Sequence, residues 1–450
     1  MDLFGTAGIR GSARERVTPE LALSVGRAVG RDADEVVVGR DGRTTGPALA
    51  AAVEAGLLSA GATVRRIGVV PTPALAFASQ GRRGVMLTAS HNPPTDNGIK
   101  LFVDGVEYDR DAERRIDRRV EADDPAVPWD EWSDATATDP LPDYRESVVA
   151  YAETLGEPAD GVRVAVDCGN GMSAVGTPQV LRDLGAEVVT LNANVDGHFP
   201  GRESKPTPES LADLRAFVAD GDFDFGIGHD GDADRIVVVD GTGEVVHEDT
   251  VVAVLSERYV RTADAADPVV VTTPNASARI DDRVRAAGGR VERVRLGALH
   301  EGIARVQREG DADTAVVFAA EPWKHVHTRF GGWIDGICSA AVLTRLVAES
   351  GLSTLREPVT ERPYRKVSVS CPDDAKSAVM ADLTTALPEA FPDATVDTDH
   401  GVRLELSDGS WVLVRPSGTE PYVRVYAESD EVDALVDAAT DVVESAVAAN

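Results

Sequence analysis

The sequence predicts an α/β protein with three tandem α/β domains, built on mixed and mainly parallel sheets, followed by a smaller C-terminal α+β domain. One observation is a strand–helix–strand pattern that occurs three times. Another is the change of pattern after residue 360, where several short strands have helices between and after them. The third is length, because 450 residues exceed what one hydrophobic core organises, while 43% apolar residues suit a folded chain.

The three repeats share one plan. In each, an apolar run of about four residues precedes a turn of small residues, and an amphipathic stretch then ends at AGA, LGA or AGG. The segments are EVVVGRDGRTTGPALAAAVEAGLLSAGATVRRIGVV, VRVAVDCGNGMSAVGTPQVLRDLGAEVVTLN and PVVVTTPNASARIDDRVRAAGGRVERVRLG. Since a strand–helix–strand unit places its strands side by side and parallel, the pattern predicts three α/β domains.

The C-terminal part differs, with strands predicted at RKVSVSC, VRLELSDGSWVLVRPSG and PYVRVYAES. Polar or proline-rich joins separate the four parts: TATDPLPD, DGTGEVVHEDT and ESGLSTLREP. We therefore predict domains at residues 1–140, 141–247, 248–360 and 361–450.

The chain is strongly acidic, with a net charge of -31 and a pI near 4.6. Only 5 of its 45 basic residues are lysine. Such a surface suits a salt-rich interior, which is the halophilic pattern. Nucleic-acid binding is not expected, because neutralising phosphates needs basic patches.

Other features favour a cytoplasmic protein without a membrane segment. No apolar run approaches the roughly 18 residues of a membrane helix, and the start MDLFGTAGIRG lacks a secretory pattern. The three cysteines, Cys168, Cys338 and Cys371, are odd in number and far apart, so we expect core residues and neither a disulfide framework nor a thiolate metal site.

A stiff loop follows the strand GVMLTAS and contains TASHNPPTDNGIK. Pro93 and Pro94 exclude a helix, and an Asp-Asn-Gly turn leads into the next strand, IKLFV. Ser90 is thus held at a strand end, which suits a side chain that must be aimed. Taken alone, such a serine is more often a turn residue with local hydrogen bonds.

The segment DGDADR lies between the strands FDFGI and IVVVD. In an extended chain, Asp230, Asp232 and Asp234 would point to one side, and their mutual repulsion favours a divalent cation. Oxygen ligands on a short loop favour Mg²⁺, although a solvated acidic turn is the alternative. Two overlapping patterns fail: no helix follows GIGHDG as a dinucleotide site needs, and the DGDAD start lacks the glycine and glutamate of a calcium loop.

Two further segments carry binding chemistry. Guanidiniums, hydroxyls and accessible backbone N–H groups occur together in RPSGTEPYVRVYAES and favour a phosphate ester: Arg415, Ser417, Gly418, Thr419 and Arg424. The segment AAEPWKHVHTRFGGWIDG offers groups for sugar hydroxyls or phosphate, each of which could also be an ordinary residue: Glu321, Trp323, Lys324, His325 and His327.

With these motifs in place, the chain resembles the α-D-phosphohexomutase family of phosphoglucomutases, phosphomannomutases and phosphoglucosamine mutases. The resemblance covers essentially all 450 residues through FGTAGIRG, TASHNPPTDNGIK, DGDADR and RPSGTEP. It implies a heart-shaped molecule of four domains with one active site in a central cleft.

The resemblance also implies a mechanism. Ser90 would carry a phosphoryl group, pass it to a sugar monophosphate and recover the other phosphoryl of a bisphosphosugar, which also serves as primer. One Mg²⁺ per chain would bind Ser90, Asp230, Asp232 and Asp234. The residues expected to neutralise the transferring group or shuttle its proton are Arg10, His91, Lys100 and Arg235, and Lys100 is preferred for the proton.

The sugar-binding segment departs from the family pattern, because Trp323-Lys324 replaces the usual Ser-Gly pair after Glu321. The expected sugar contacts are Gly297, Glu321, Lys324 and His325. Glucosamine, mannose and glucose phosphates therefore stay open, and a pentose phosphate is an alternative substrate. The expected partner is a small sugar phosphate, and the protein is expected to be a monomer or homodimer. The rival functions are a phosphatase, suggested by VVVDGTG at 237–243, and a non-catalytic sugar-phosphate binding protein.

Overall fold

The structure is a computed structural model that describes residues 3–5, 8–417 and 420–450. Four β-sheets follow one another along the described chain, three of them mixed and the last antiparallel. The predicted α/β class with a C-terminal α+β part is confirmed. The boundaries predicted at 140, 247 and 360 fall in segments between helices and strands and stay predictions.

The first sheet belongs to the N-terminal part of the chain. Its elements are β1 Ile9–Ser12, α1 Pro19–Gly30, β2 Glu35–Arg40, α2 Gly46–Ser59, β3 Thr63–Val69, α3 Thr72–Ala78, β4 Arg83–Leu87, β5 Asp96–Val103, β6 Val106–Glu107, α4 Arg110–Glu121, a 3-10 helix Trp129–Glu131 and β7 Ala135–Ala137. The strand order is β1-β5-β4-β2-β3-β7, with β6 beside β5. β2, β3, β4 and β7 run parallel, and β5 pairs antiparallel to β1 and β4.

Glycines allow α1 and α2 to cross closely. A Cβ on Gly26 would lie 2.2 Å from the Val53 oxygen, and one on Gly56 would lie 2.2 Å from the Leu23 oxygen. Larger residues at these two positions would force the helices apart. The crossing fixes the layer that covers one face of the first sheet.

The second and third sheets repeat the predicted strand–helix–strand units. The second part contains α5 Leu141–Ala152, β8 Arg163–Asp167, a 3-10 helix Met172–Val175, α6 Thr177–Asp183, β9 Glu187–Leu191, α7 Ala212–Asp220, β10 Phe225–Gly228 and β11 Val237–Asp240. The third contains α8 Glu248–Arg261, β12 Asp267–Thr272, α9 Ala278–Ala286, β13 Arg290–Arg293, α10 Leu299–Glu309, β14 Thr314–Glu321, β15 Lys324–Val326, α11 Gly336–Ser350 and α12 Leu352–Arg356. The strand orders are β11-β10-β8-β9 and β13-β12-β14-β15.

The C-terminal sheet has the order β16-β20-β19-β18-β17, and all its pairings are antiparallel. Its elements are β16 Tyr364–Ser370, α13 Lys376–Ala390, β17 Thr395–Asp397, β18 Val402–Glu405, β19 Trp411–Pro416, β20 Tyr422–Glu428 and α14 Val432–Ala449. α13 and α14 cover it with their own apolar cluster.

The core is continuous across the first three parts. One cluster runs from Val37 in β2 through Phe225 in β10 to Leu343 in α11. Helix α11 packs on α5 and α6 of the preceding part. The first three sheets are therefore bound to one another by shared apolar packing, which is non-directional but additive over the buried area.

The C-terminal sheet joins this body through buried polar contacts and a small apolar cluster in which Ala278 packs against Trp411, Leu413 and Tyr426. The buried carboxylate of Glu428 accepts hydrogen bonds from Ser277 at 2.8 Å, Arg279 at 3.1 Å and Trp411 at 2.8 Å. Arg403 donates to the Pro274 oxygen at 2.6 Å. In the described part of the chain, no helix has the length and apolar character to cross a membrane.

Candidate active site

Ser90 lies in the loop between β4 and β5 with its side chain buried. Its φ of 52° is in the left-handed region, which a serine seldom adopts. Its backbone N–H donates to the Thr88 hydroxyl at 2.9 Å. The serine is therefore held in one orientation by strained backbone that its surroundings stabilise.

Arg43 provides much of that stabilisation, and no motif in the sequence predicts this role. Its guanidinium is fully buried and pairs with Asp41 at 3.1 Å. It also donates to four carbonyl oxygens of the serine loop, those of Ser90 at 2.9 Å, Asn92 at 2.8 Å, Pro93 at 2.6 Å and Asp96 at 3.0 Å. One side chain thus satisfies four carbonyls of this loop.

The three aspartates converge, although by a different geometry from the one predicted. Residues 229–236 form a turn, with Ala233 at φ 62°, and not an extended chain with alternating side chains. One ligand oxygen from each of Asp230, Asp232 and Asp234 lies within 4.8 Å of the others. The Ser90 hydroxyl donates to Asp230 Oδ2 at 2.7 Å, which joins the serine loop to the aspartate loop.

This group fits a divalent cation. Oδ1 of Asp232 and Oδ1 of Asp234 are buried and have no hydrogen-bond partner among the described residues. Burial raises the pKa of Asp230 well above its usual value, and the negative charges of Asp234 and Asp232 raise it further. Buried, crowded and unpaired carboxylate oxygens are suited to bind a hard divalent cation.

Cations surround the aspartates. Lys100 Nζ lies 2.7 Å from Asp234 Oδ2 and 3.3 Å from Asp232 Oδ2. Although burial opposes it, the pair of carboxylates raises the pKa of Lys100 above its usual value. Burial also opposes ionisation of Asp234, but Lys100 and Arg235 hold the pKa of Asp234 below its usual value. Lys100 is therefore a firmly protonated ammonium in this arrangement.

The remaining predicted catalytic residues lie beside this centre. Arg235 Nε is 3.6 Å from Asp230 Oδ2. Arg10, the second residue of β1, lines the same cavity as Lys100 and Asp234. The Nε atoms of both arginines are buried and without a hydrogen-bond partner among the described residues. His91 Nδ1 lies 3.2 Å from the Ser90 hydroxyl, and burial, with Arg235 and Arg10, lowers the pKa of His91 to about 2.

A narrow cavity connects this centre to the third part of the chain. Its lining brings together six residues predicted for the site: Arg10, Lys100, Asp234, Gly297, Glu321 and Lys324. Glu321 accepts from the Gly297 N–H and lies 3.5 Å from Lys324 Nζ. The predicted sugar-binding residues Gly297, Glu321 and Lys324 therefore face the same space as the aspartate loop.

His325 does not face this space, so the expectation of a sugar contact through its side chain does not fit the structure. Its ring is buried against Phe318 and its Nδ1 lies 3.0 Å from the Ser339 hydroxyl. His327 is also buried, within hydrogen-bond distance of Tyr259 and Ser339. Strand β15 alternates its side chains, so Lys324 and His325 point to opposite faces. Trp323 is partly buried against the apolar cluster of the second sheet.

The predicted phosphate-binding residues form a second group on the C-terminal sheet. Arg415 in β19 and Arg424 in β20 are register partners, and the Nε of each is buried without a partner among the described residues. Arg415 donates to the Tyr426 hydroxyl at 2.9 Å and Arg424 pairs with Glu420. Ser417 is buried at the end of this segment. The predicted residues Gly418 and Thr419 lie outside the described residues.

Lys376 supports the same segment and was missed from the sequence. Its ammonium, at the start of α13, donates to the carbonyl oxygens of Ser417 at 2.7 Å and Glu420 at 2.6 Å. These two carbonyls flank the part of the phosphate-binding segment that the structure does not describe. A lysine 41 residues from its acceptor leaves no local sequence pattern that would predict the contact.

Comparisons with known proteins match most of the chain. Residues 1–126, 142–243 and 368–445 match family models described as phosphoglucomutase/phosphomannomutase domain I, domain II and C-terminal domain. A "Phosphopentomutase" of Thermococcus kodakarensis is 42% identical over 95% of this chain and 94% of its own length. A "Probable phosphoglucosamine mutase" of Methanopyrus kandleri is 43% identical with the same coverage of both chains.

Solved structures share the fold. A phosphoglucomutase/phosphomannomutase family protein of Burkholderia thailandensis has a TM-score of 0.84 at 25% identity, covering 100% of this chain and 97% of its own. An N-acetylphosphoglucosamine mutase of Aspergillus fumigatus, solved with GlcNAc-6P and magnesium, has a TM-score of 0.64 at 16% identity, covering 99% and 96%. Family models over most of the chain and relatives above 40% identity along nearly all of it lead to one conclusion: the chain belongs to the α-D-phosphohexomutase family of isomerases.

Proposed function

We propose that this enzyme interconverts sugar 1-phosphates and sugar 6-phosphates through a phosphoserine at Ser90 and a bisphosphosugar intermediate. The observation that carries the proposal is the contact of the Ser90 hydroxyl with Asp230 at 2.7 Å, beside two carboxylate oxygens that lack partners. A hydroxyl fixed against a metal-binding group is the arrangement that phosphoryl transfer needs, because that reaction depends on position and charge neutralisation.

The chain's own residues account for each step. In the phosphorylated enzyme, the bond between phosphorus and Ser90 Oγ breaks as a sugar hydroxyl forms its own bond to phosphorus and gives up its proton. The bisphosphosugar then turns over, and its other phosphoryl returns to Ser90. Arg10 and Arg235 neutralise the moving phosphoryl. The candidates to carry the proton are His91, whose neutral ring can accept it, and Lys100, whose ammonium can donate one.

Ser90, Asp230, Asp232 and Asp234 would hold the metal, which we propose is Mg²⁺. When bound, it neutralises negative charge on the oxygens at the phosphoserine. The partner-free oxygens of Asp232 and Asp234 support this assignment independently of any relative. Lys100 already compensates part of the carboxylate charge, so the site holds its geometry with fewer repulsions.

The phosphate at the far end of the sugar is assigned to Arg415, Ser417 and Arg424, together with Gly418 and Thr419. Two buried guanidinium Nε–H groups without partners support this, since an anion would satisfy both. One such site suffices for both orientations of the bisphosphate, because its two ends are both phosphoryl groups. A relative of the same fold was solved with glucose 1,6-bisphosphate.

Glucosamine, mannose and glucose phosphates are the proposed substrate class, and a pentose phosphate is the second candidate. The Lys324 ammonium lies in the cavity where the family pattern has a small residue, which reduces the space for a hexose. A relative of 42% identity is named a phosphopentomutase. Assays should therefore include glucose, mannose, glucosamine and ribose phosphates in molar salt, with and without a bisphosphate primer.

The decisive variant is Ser90→Ala, with Ser407→Ala on an exposed turn as control. We expect Ser90→Ala to abolish isomerisation and to lose the phosphopeptide that contains residue 90, while Ser407→Ala keeps both. Undiminished isomerisation by Ser90→Ala would disprove the phosphoserine mechanism. Release of inorganic phosphate without formation of the isomer would support the phosphatase alternative. Tight binding of a sugar phosphate without turnover would support the non-catalytic alternative.

A further inference from the structure

His300 lies at the N-terminal end of α10, where two cavities meet. On one side is the narrow cavity that contains Lys100 and Asp234. On the other is a cavity of about 600 Å³ between α4 and α10. Glu107 and Gly297 line both cavities with His300, so these three residues form the neck of one continuous cleft.

Within the described part of the chain, one ring nitrogen of His300 has no partner. Burial has the largest effect on the pKa of the ring and lowers it, while the nearby backbone of Gly332 raises it. Nε2 is shielded from solvent and has no hydrogen-bond partner among the described residues. Burial lowers the pKa of His300, which favours the neutral ring near pH 7; in the tautomer protonated at Nδ1, Nε2 carries a lone pair.

The other acceptor side chains that line the narrow cavity are carboxylates, and one of them, Asp234, also has a partner-free oxygen that we assign to the metal. Glu321 accepts from Gly297 and pairs with Lys324 at 3.5 Å. Asp234 and Glu107 both face Lys100, at 2.7 Å and 3.8 Å. Within the described lining, His300 is thus an uncharged side chain with a ring nitrogen that no hydrogen bond occupies.

We propose that His300 Nε2 accepts a hydrogen bond from one ring hydroxyl of the sugar and thereby selects which sugar phosphates react. A lone pair repels phosphate oxygens but matches a hydroxyl donor, so its ligand is the sugar ring. A buried polar atom without a partner is costly, and a substrate that supplies the partner is favoured over an analogue that lacks it. This inference depends on the proposed mutase function and adds its specificity determinant.

The test crosses two variants with a series of deoxy substrates. His300→Leu removes the acceptor at similar bulk, and His300→Gln offers an oxygen in its place. The substrates are glucose 6-phosphate with its 2-, 3- and 4-deoxy forms, and ribose 5-phosphate with 2-deoxyribose 5-phosphate. We expect His300→Leu to lower kcat/KM roughly 10- to 100-fold for the parent sugar, with no further loss for the one deoxy form that lacks the contacted hydroxyl.

His300→Gln should recover most of the parent activity. An equal loss of kcat/KM on every substrate by His300→Leu, or none on any, would overturn the inference while leaving the mutase function intact. Absence of turnover by the unmodified protein on these six substrates and on mannose and glucosamine phosphates would reject both. Thermal unfolding of both variants checks that the fold is kept, and His300→Gln keeps the test valid if His300→Leu does not fold.

Discussion

The two halves of the proposed site are built in opposite ways. The serine–aspartate centre, formed by the serine loop and residues 229–236, lies within the continuous core of the first three sheets, and its groups are buried. The phosphate-binding segment lies on a sheet with a separate apolar core, joined to the rest by polar contacts through Glu428 and Arg403 and by a small apolar cluster. In the first half the charged groups are buried and largely paired with one another. In the second, the Nε–H groups of Arg415 and Arg424 are left without partners among the described residues, which the proposed phosphate would satisfy.

The largest expected effect lies in the serine–aspartate centre. Arg43→Met would leave Asp41 buried without its cation and remove donors from four loop carbonyls. We expect a loss of about 3–5 kcal/mol in the free energy of unfolding, the usual range for breaking a buried pair. Denaturant unfolding in molar salt measures it. A loss below about 1 kcal/mol would show that the serine loop is held by other contacts.

The corresponding change in the phosphate-binding segment should separate stability from function. Arg415→Met removes one cation from the anion site but only a partly exposed contact with Tyr426. We expect kcat/KM to fall about 100-fold, or roughly 2.7 kcal/mol, mainly through KM, with the unfolding free energy changed by less than about 1 kcal/mol. If Arg415→Met unfolded the protein as Arg43→Met does, the contrast between the two halves would be wrong.

Acid should also destabilise the first three sheets more than the C-terminal sheet. The buried histidines with lowered pKa all lie before residue 361, and burial lowers the pKa of His325 to about 3. Because the unfolded chain protonates near 6.5, the stability that neutral His325 contributes is present above pH 6.5 and is lost as the pH falls towards 3. When the pH falls from 7 to 5, the free energy of unfolding of His325→Gln should therefore fall by about 2 kcal/mol less than that of the parent.

Comparing the two proteins at each pH cancels the opposite contribution of buried carboxyls such as Asp335, whose pKa burial raises to about 6. Unfolding curves followed by tryptophan fluorescence give the two free energies. Parallel pH dependence of the parent and His325→Gln would contradict the assignment of His325 to the core.

The sequence predicts the reacting and metal-binding residues better than the residues that hold them in place. Ser90 and the three aspartates were identifiable because their motifs are short and local, and the repeated strand–helix–strand pattern predicted three of the sheets. Arg43 and Lys376 were missed, because each acts on carbonyls about 40 or more residues away. The aspartates converge through a turn at Ala233, and a left-handed alanine has no sequence signature. The motif predicts a sugar contact for His325 because it shows the order of the residues but not the face of β15 on which each side chain lies.

The smallest expected effect concerns Lys376, which holds the phosphate-binding segment through the Ser417 and Glu420 carbonyls. In Lys376→Met the segment would lose this anchor and become less ordered before the anion binds. We expect KM to rise about tenfold, or roughly 1.4 kcal/mol, with kcat little changed, because ordering the segment then opposes binding. Lys205→Met is the matched control, since that lysine is exposed and lies in the second part of the chain, away from the segment. Lys376→Arg, whose guanidinium can also donate to two carbonyls, should restore KM if the hydrogen bonds are what matters. An unchanged KM in Lys376→Met, together with a lowered thermal midpoint, would instead make Lys376 a purely structural residue of the C-terminal sheet.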